Sequence, residues 1–129
     1  MISANLYIAV VDDEAPVRTA LRRLLRLADY DVAVFASGEA ILASLGARRP
    51  DCVVLDVHLP GLSGLEVQSQ LKAIHVNVPV VFITASDDPD LDRQALEAGG
   101  RELLRKPFSN DELLAAVGAA LRNQSRDAS

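Results

Sequence analysis

Short apolar runs that stop at a polar residue, each followed by a helical pattern, constrain this chain more than any other feature. Leu6–Val11 (LYIAVV) is unbroken and apolar until Asp12, the mark of a strand covered on both faces. Behind it, Val17, Leu21, Leu24, Leu25 and Ala28 fall on one helical face, with Pro16 suited to a first turn. The alternation then repeats. Val32, Val34 and Phe35 form a shorter strand, and Ser37 caps a helix through Ile41 and Leu45 that ends near Gly46. Cys52–Leu55 and Pro79–Ile83 read as strands, and Leu65–Ile74 as the helix between them. Asp88-Pro89 opens a helix that Gly99-Gly100 ends, Arg101–Leu104 is a weaker strand, and Ser109–Glu112 (SNDE) is a capping box before the last helix. Leu113, Leu114, Val117 and Leu121 line that helix.

Five strands alternating with five helices imply an α/β fold, a three-layer sandwich with a parallel sheet between helices. The polar, aperiodic stretch from Asn123 (NQSRDAS) reads as a tail or the start of a linker, leaving residues 1–122 as the domain. In such sheets ligands bind beyond the carboxyl ends of the strands, where strand order reverses. The residues at those ends are Asp12 and Asp13, Asp56, Thr84 and Lys106. Crowded carboxylates repel each other, which raises a pKa or calls for a cation. Hard oxygen donors favour Mg²⁺, because thiolates and clustered imidazoles are missing. A divalent ion beside an exposed carboxylate suits in-line phosphoryl transfer onto that carboxylate.

Simpler readings exist for each residue. Asp12 and Asp13 could cap the first helix, Asp56 could be a turn residue before Pro60, Thr84 could be a β-former, and Lys106 a solvated surface charge. The two histidines, His58 and His75, have no metal-binding spacing. Only the constellation favours the site.

Net charge of −5 argues against a broad basic surface for nucleic acid. A single cysteine, Cys52, forms no intrachain disulfide and reads as a buried, inert thiol. There is no apolar run of membrane-spanning length and no leader pattern in MISANLY, so a cytoplasmic setting with no membrane contact is expected.

VVDDE (Val10–Glu14), LDVHLPGLSG (Leu55–Gly64), FITAS (Phe82–Ser86) and KPF (Lys106–Phe108), in that order at successive strand ends, resemble the receiver domains of response regulators, the CheY-like phosphoacceptors of two-component signalling. The resemblance covers residues 6–122 and implies a flavodoxin-like sheet of order 2-1-3-4-5. It implies that Asp56 is phosphorylated, that Asp13 binds Mg²⁺ directly and Asp12 mainly through water, and that Asp56 and the His58 backbone carbonyl complete the protein's metal contacts. Thr84 and Lys106 are then expected to contact the phosphoryl group, with Pro107 after a cis peptide bond. The implied partner is a histidine kinase or a histidine phosphotransfer protein.

The first helix carries Arg18, Arg22, Arg23 and Arg26. They form either a solvated face or, as the resemblance implies, a docking face for the kinase. Mixed charges from Asp87 to Arg105 are of the kind that joins receivers into a homodimer through helix 4, strand 5 and helix 5. The protein is expected to catalyse only its own phosphorylation and dephosphorylation, and so not to act as an enzyme.

Several positions depart from the family pattern. Leu103 stands where receivers usually carry Tyr or Phe, so switching is expected to run through backbone and loop shifts. Gly100 stands where Ala is usual, and His58 and Ser86 are expected to tune phosphoryl lifetime. Two alternatives remain open: a Mg²⁺-dependent phosphohydrolase with an Asp nucleophile, which would typically need a second acid where His58 stands, and a degenerate receiver that only binds. A DNA-binding helix-turn-helix domain often follows such receivers in longer proteins.

Overall fold

A computed structural model describes residues 5–127. Its elements alternate as β1 (Tyr7–Val11), α1 (Ala15–Leu27), β2 (Asp31–Phe35), α2 (Gly38–Ser44) and β3 (Cys52–Asp56). They continue as α3 (Gly64–Ala73), β4 (Val80–Thr84), α4 (Pro89–Glu97), β5 (Glu102–Arg105) and α5 (Asn110–Asp127). All strand pairs are parallel, in the order β2-β1-β3-β4-β5. The expected flavodoxin-like, CheY-like sandwich is the one observed.

The unbroken apolar runs form the three central strands, which are buried along their whole length. Their alternating side chains feed two cores. Ala9, Val11, Val53, Leu55 and Phe82 pack with Ile41, Val67, Leu71, Leu91 and Ala95 from α2, α3 and α4. Ile8, Val10, Val54, Val81 and Ile83 pack with Leu21 and Leu25 of α1 and Leu113 and Val117 of α5. Covering both faces forces the strands' polar residues to their ends.

The helix starts follow local chemistry. Ser37 accepts from the amide of Ala40, Asp88 from that of Asp90, and Ser109 and Glu112 form the expected reciprocal cap. A second capping box, Ser63 with Glu66, opens α3. Boundaries differ by one residue in places: β5 begins at Glu102 rather than Arg101 and includes Arg105. That edge strand lacks an apolar run, so its pairing with β4 sets its limits. Helix α5 continues through residues 123–127, where the sequence showed no periodicity.

Candidate functional site

Parallel register brings the polar strand ends to one edge of the sheet. Val11 of β1 lies opposite Leu55 of β3, so Asp12 and Asp56 leave adjacent strands side by side. Asp56 pairs with Ile83, one residue before Thr84, and Thr84 pairs with Arg105, one residue before Lys106. The five expected residues thus come from the ends of β1, β3, β4 and β5.

Asp12 is fully buried, Asp56 is 4 % exposed, and Asp13 is exposed. One carboxylate oxygen from each lies within 4.8 Å of the others. The Lys106 ammonium bridges two of them, donating to Asp12 Oδ2 at 2.7 Å and Asp56 Oδ2 at 3.1 Å. Glu14, which the sequence reading passed over, stands 3.8 Å from the same ammonium. It immediately follows the acidic pair, and its position there was the only signal.

Burial pushes the Asp56 carboxyl above the usual carboxylate range, assisted by the charge of Asp12; the His58 amide and Lys106 oppose the shift without cancelling it. For Lys106, burial pulls down, but hydrogen bonds and charges from Asp12 and Asp56 outweigh it, and the net direction is up. An ion pair alone would lower Asp56; desolvation decides the sign there, because its carboxylate sits below the surface between strands. Cys52, at the opposite end of β3 from Asp56, has its thiol pushed up to about 12 by burial, consistent with an inert core residue.

Glu14 is the N-cap of α1, and no side chain caps that helix, so the capping reading of Asp12 and Asp13 does not hold. Asp12 Oδ1 accepts the Glu14 amide at 2.9 Å within the loop before α1, while Oδ2 faces Lys106. Its carbonyl accepts from Arg18 Nη1 at 2.8 Å. In sequence Arg18 is only one of a row of α1 arginines, since nothing in helical spacing reports a reach back to the preceding loop. Arg22, Arg23 and Arg26 are exposed on the same helix.

His58 follows the site with its imidazole exposed and its amide donating to Asp56 Oδ1 at 3.0 Å. Gly64 closes the loop from below: a Cβ there would collide with the Asp56 carbonyl, and its amide donates to Val57 at 2.9 Å. Thr84 is fully buried, with Oγ1 accepting from the Ser86 amide at 3.0 Å. Ser86 Oγ is turned to the Asp88 amide at the start of α4. The Lys106–Pro107 peptide is cis, as the resemblance implied.

The donors fit a hard divalent cation. They are carboxylate oxygens, one set exposed and two held by a lysine that already occupies the place of a positive charge between them.

Across α4 and β5, Arg105 pairs with Asp92, and Arg93 with Asp90 and Glu97. Among the described residues no helix is long and apolar enough to cross a membrane.

The response regulator receiver domain model matches residues 8–118. Nodulation protein W of Bradyrhizobium diazoefficiens is 38% identical over 92% of this chain and 52% of its own length. Response regulator MprA of Mycobacterium sp. is 42% identical over 93% of this chain and 52% of its own length. The chain therefore spans about half the length of these curated relatives. Among solved structures, a response regulator receiver protein from Burkholderia phymatum is 45% identical, with a TM-score of 0.81 over 91% of this chain and 95% of the other. With its strand order, its acidic edge and this match along most of its length, the chain belongs to the response regulator receiver domains of two-component systems.

Proposed function

We propose that this chain is a phosphoacceptor switch in which Asp56 carries the phosphoryl group. The observation that supports it is the cluster of Asp12, Asp13 and Asp56 bridged by Lys106 at the carboxyl ends of the central strands. An Asp56 oxygen forms the new O–P bond as the N–P bond of a partner's phosphohistidine breaks, and the released imidazole takes a proton from solvent. The donor is a histidine kinase or a histidine phosphotransfer protein. Lys106 holds the Asp56 carboxylate in place and offers its ammonium to phosphoryl oxygens, as the buried Thr84 hydroxyl does once it leaves the Ser86 amide.

Asp12, Asp13, Asp56 and the His58 carbonyl would hold Mg²⁺, which when bound neutralises charge between the acids and an incoming phosphoryl group. Water attack on the acyl phosphate restores Asp56, with His58 and Ser86 bordering its approach. Residues 1–122 form the receiver, acting in the cytoplasm without a membrane or nucleic-acid contact of its own. The output is a shifted binding face around α4, β5 and α5, open to pairing with a second copy. On this reading the protein is not an enzyme.

The deciding experiment incubates the chain with acetyl phosphate and Mg²⁺ and follows the mass of the intact protein. The expected result is one added phosphoryl group, lost on chelation of Mg²⁺ beforehand and in Asp56→Asn. Labelling of Asp56→Asn at the parent's level overturns the assignment. Multiple turnover of small phosphoesters would favour the phosphohydrolase instead, and failure of the parent to label would favour a binding-only receiver.

A further inference from the structure

Every polar group of Asp12 is engaged. Its amide donates to the Phe35 carbonyl at 3.1 Å, Oδ1 takes the Glu14 amide, and Oδ2 takes Lys106. The remaining group, the backbone carbonyl, is met by Arg18 Nη1 at 2.8 Å. Arg18 is half-buried and sits within α1, its own amide bonded to the Glu14 carbonyl at 3.1 Å. Its side chain therefore reaches back across the first turn of α1 and ties the helix to the loop that carries both Asp12 and Asp13.

A guanidinium beside a cation site is electrostatically unhelpful, since like charges repel. A charged residue kept there must contribute position, or else act against the site. The structure assigns Arg18 as a positioning residue for the acidic loop: it fixes the Asp12 peptide, and through it the direction in which the Asp13 carboxylate opens. This assignment rests on the phosphoacceptor reading only in taking Mg²⁺ as the cation. Partners behind the first ligands commonly act in this way, and losing one costs about 10- to 100-fold in metal affinity.

The two roles predict opposite signs, which makes the assignment testable by Mg²⁺ binding alone. Isothermal titration calorimetry with MgCl₂ would compare the whole chain with Arg18→Met and Arg18→Lys. Positioning predicts affinity about tenfold weaker in Arg18→Met, at the lower end of such losses because the contact is to a backbone carbonyl. Arg18→Lys, which keeps a donor and a charge, should recover part of the loss. The Mg²⁺ concentration for half-maximal labelling by acetyl phosphate should rise by the same factor. Circular dichroism melting in EDTA checks that each variant is folded, and Arg18→Lys carries the comparison if Arg18→Met is not.

Unchanged or tighter Mg²⁺ binding in Arg18→Met overturns the assignment and leaves the phosphoacceptor reading standing. Lost labelling with unaltered Mg²⁺ affinity also overturns it. Absence of Mg²⁺ binding in the parent overturns the cation site itself, and the role of Arg18 with it.

Discussion

At the scale of single residues, Asp56 is held where its charge is costly. Desolvation raises its folded pKa despite Lys106 and the His58 amide, so the native state binds that proton more tightly than the unfolded chain does. A carboxyl raised in this way weakens the fold as pH climbs from the unfolded value, about 4, through the folded one. Below both values the two states are equally protonated there and the cost disappears. Asp56→Asn, which keeps the shape and removes the charge, should therefore be more stable than the parent at pH 7 without Mg²⁺, by several degrees if the gain is about 1 kcal/mol. Thermal melts in EDTA across pH 3 to 8 check this, and the gain should shrink towards zero at the acid end. A constant gain across that range, or none at pH 7, would mean that Asp56 ionises without cost. Lys106 contributes with the opposite sense: its raised folded value supports the fold up to its ordinary range and withdraws that support only in strong alkali. Much of this site was legible in sequence, because Asp12, Asp13, Asp56 and Thr84 each end or follow an apolar run, and Lys106 stands in the KPF motif after the weaker last strand. Arg18 and Glu14 were not, since their contacts depend on how the loop after β1 folds back.

At the scale of elements, β4, β5 and α4 show what a family pattern conceals. Gly100 is where Ala was expected, and its reason is the ring of Phe82: a Cβ at Gly100 would lie 2.6 Å from two ring carbons. Phe82 is fully buried on β4, and Leu103 of β5 packs, half-buried, against the same cluster. The usual β5 aromatic is absent while a fixed aromatic sits inside, beneath α4. Gly100→Ala should thus cost about 1–3 kcal/mol by overpacking. Phe82→Leu in the same chain should recover part of that loss, because a shorter side chain vacates the contact. Urea unfolding of the parent, both single variants and the double variant measures the coupling; additive losses would show that ring and glycine do not meet. The central strands were readable because burial on both faces demands continuous apolar runs. β5 was placed one residue early, since an edge strand exposed at both ends carries no such run and takes its register from β4. The capping box at Ser63 and Glu66 has the Ser-x-x-Glu spacing of its kind, within the same segment as the acid motif.

At the scale of the whole molecule, the site and the fold are one assembly. Lys106 joins residues 94 and 50 positions away along the chain, and the three acids come from the ends of two strands that meet only in the sheet. The unfolded chain therefore has no such cluster, and a cation that binds it must stabilise the native state by mass action. With Mg²⁺ at a hundred times its dissociation constant, the gain is about 2.7 kcal/mol. The acid that governs this gain should be Asp13. Asp12 and Asp56 are already met by Lys106, whereas Asp13 is exposed and shows no hydrogen bond or ion pair among the described residues. Asp13→Asn should leave stability in EDTA within about 0.5 kcal/mol of the parent, as surface changes usually do. It should remove most of the Mg²⁺-dependent gain. Paired urea titrations in EDTA and in saturating MgCl₂ give both numbers from one protein preparation. An equal gain in parent and Asp13→Asn would place the cation elsewhere. Loss of stability in EDTA as well would show that the Asp13 carboxylate helps hold the loop, rather than standing open to the cation.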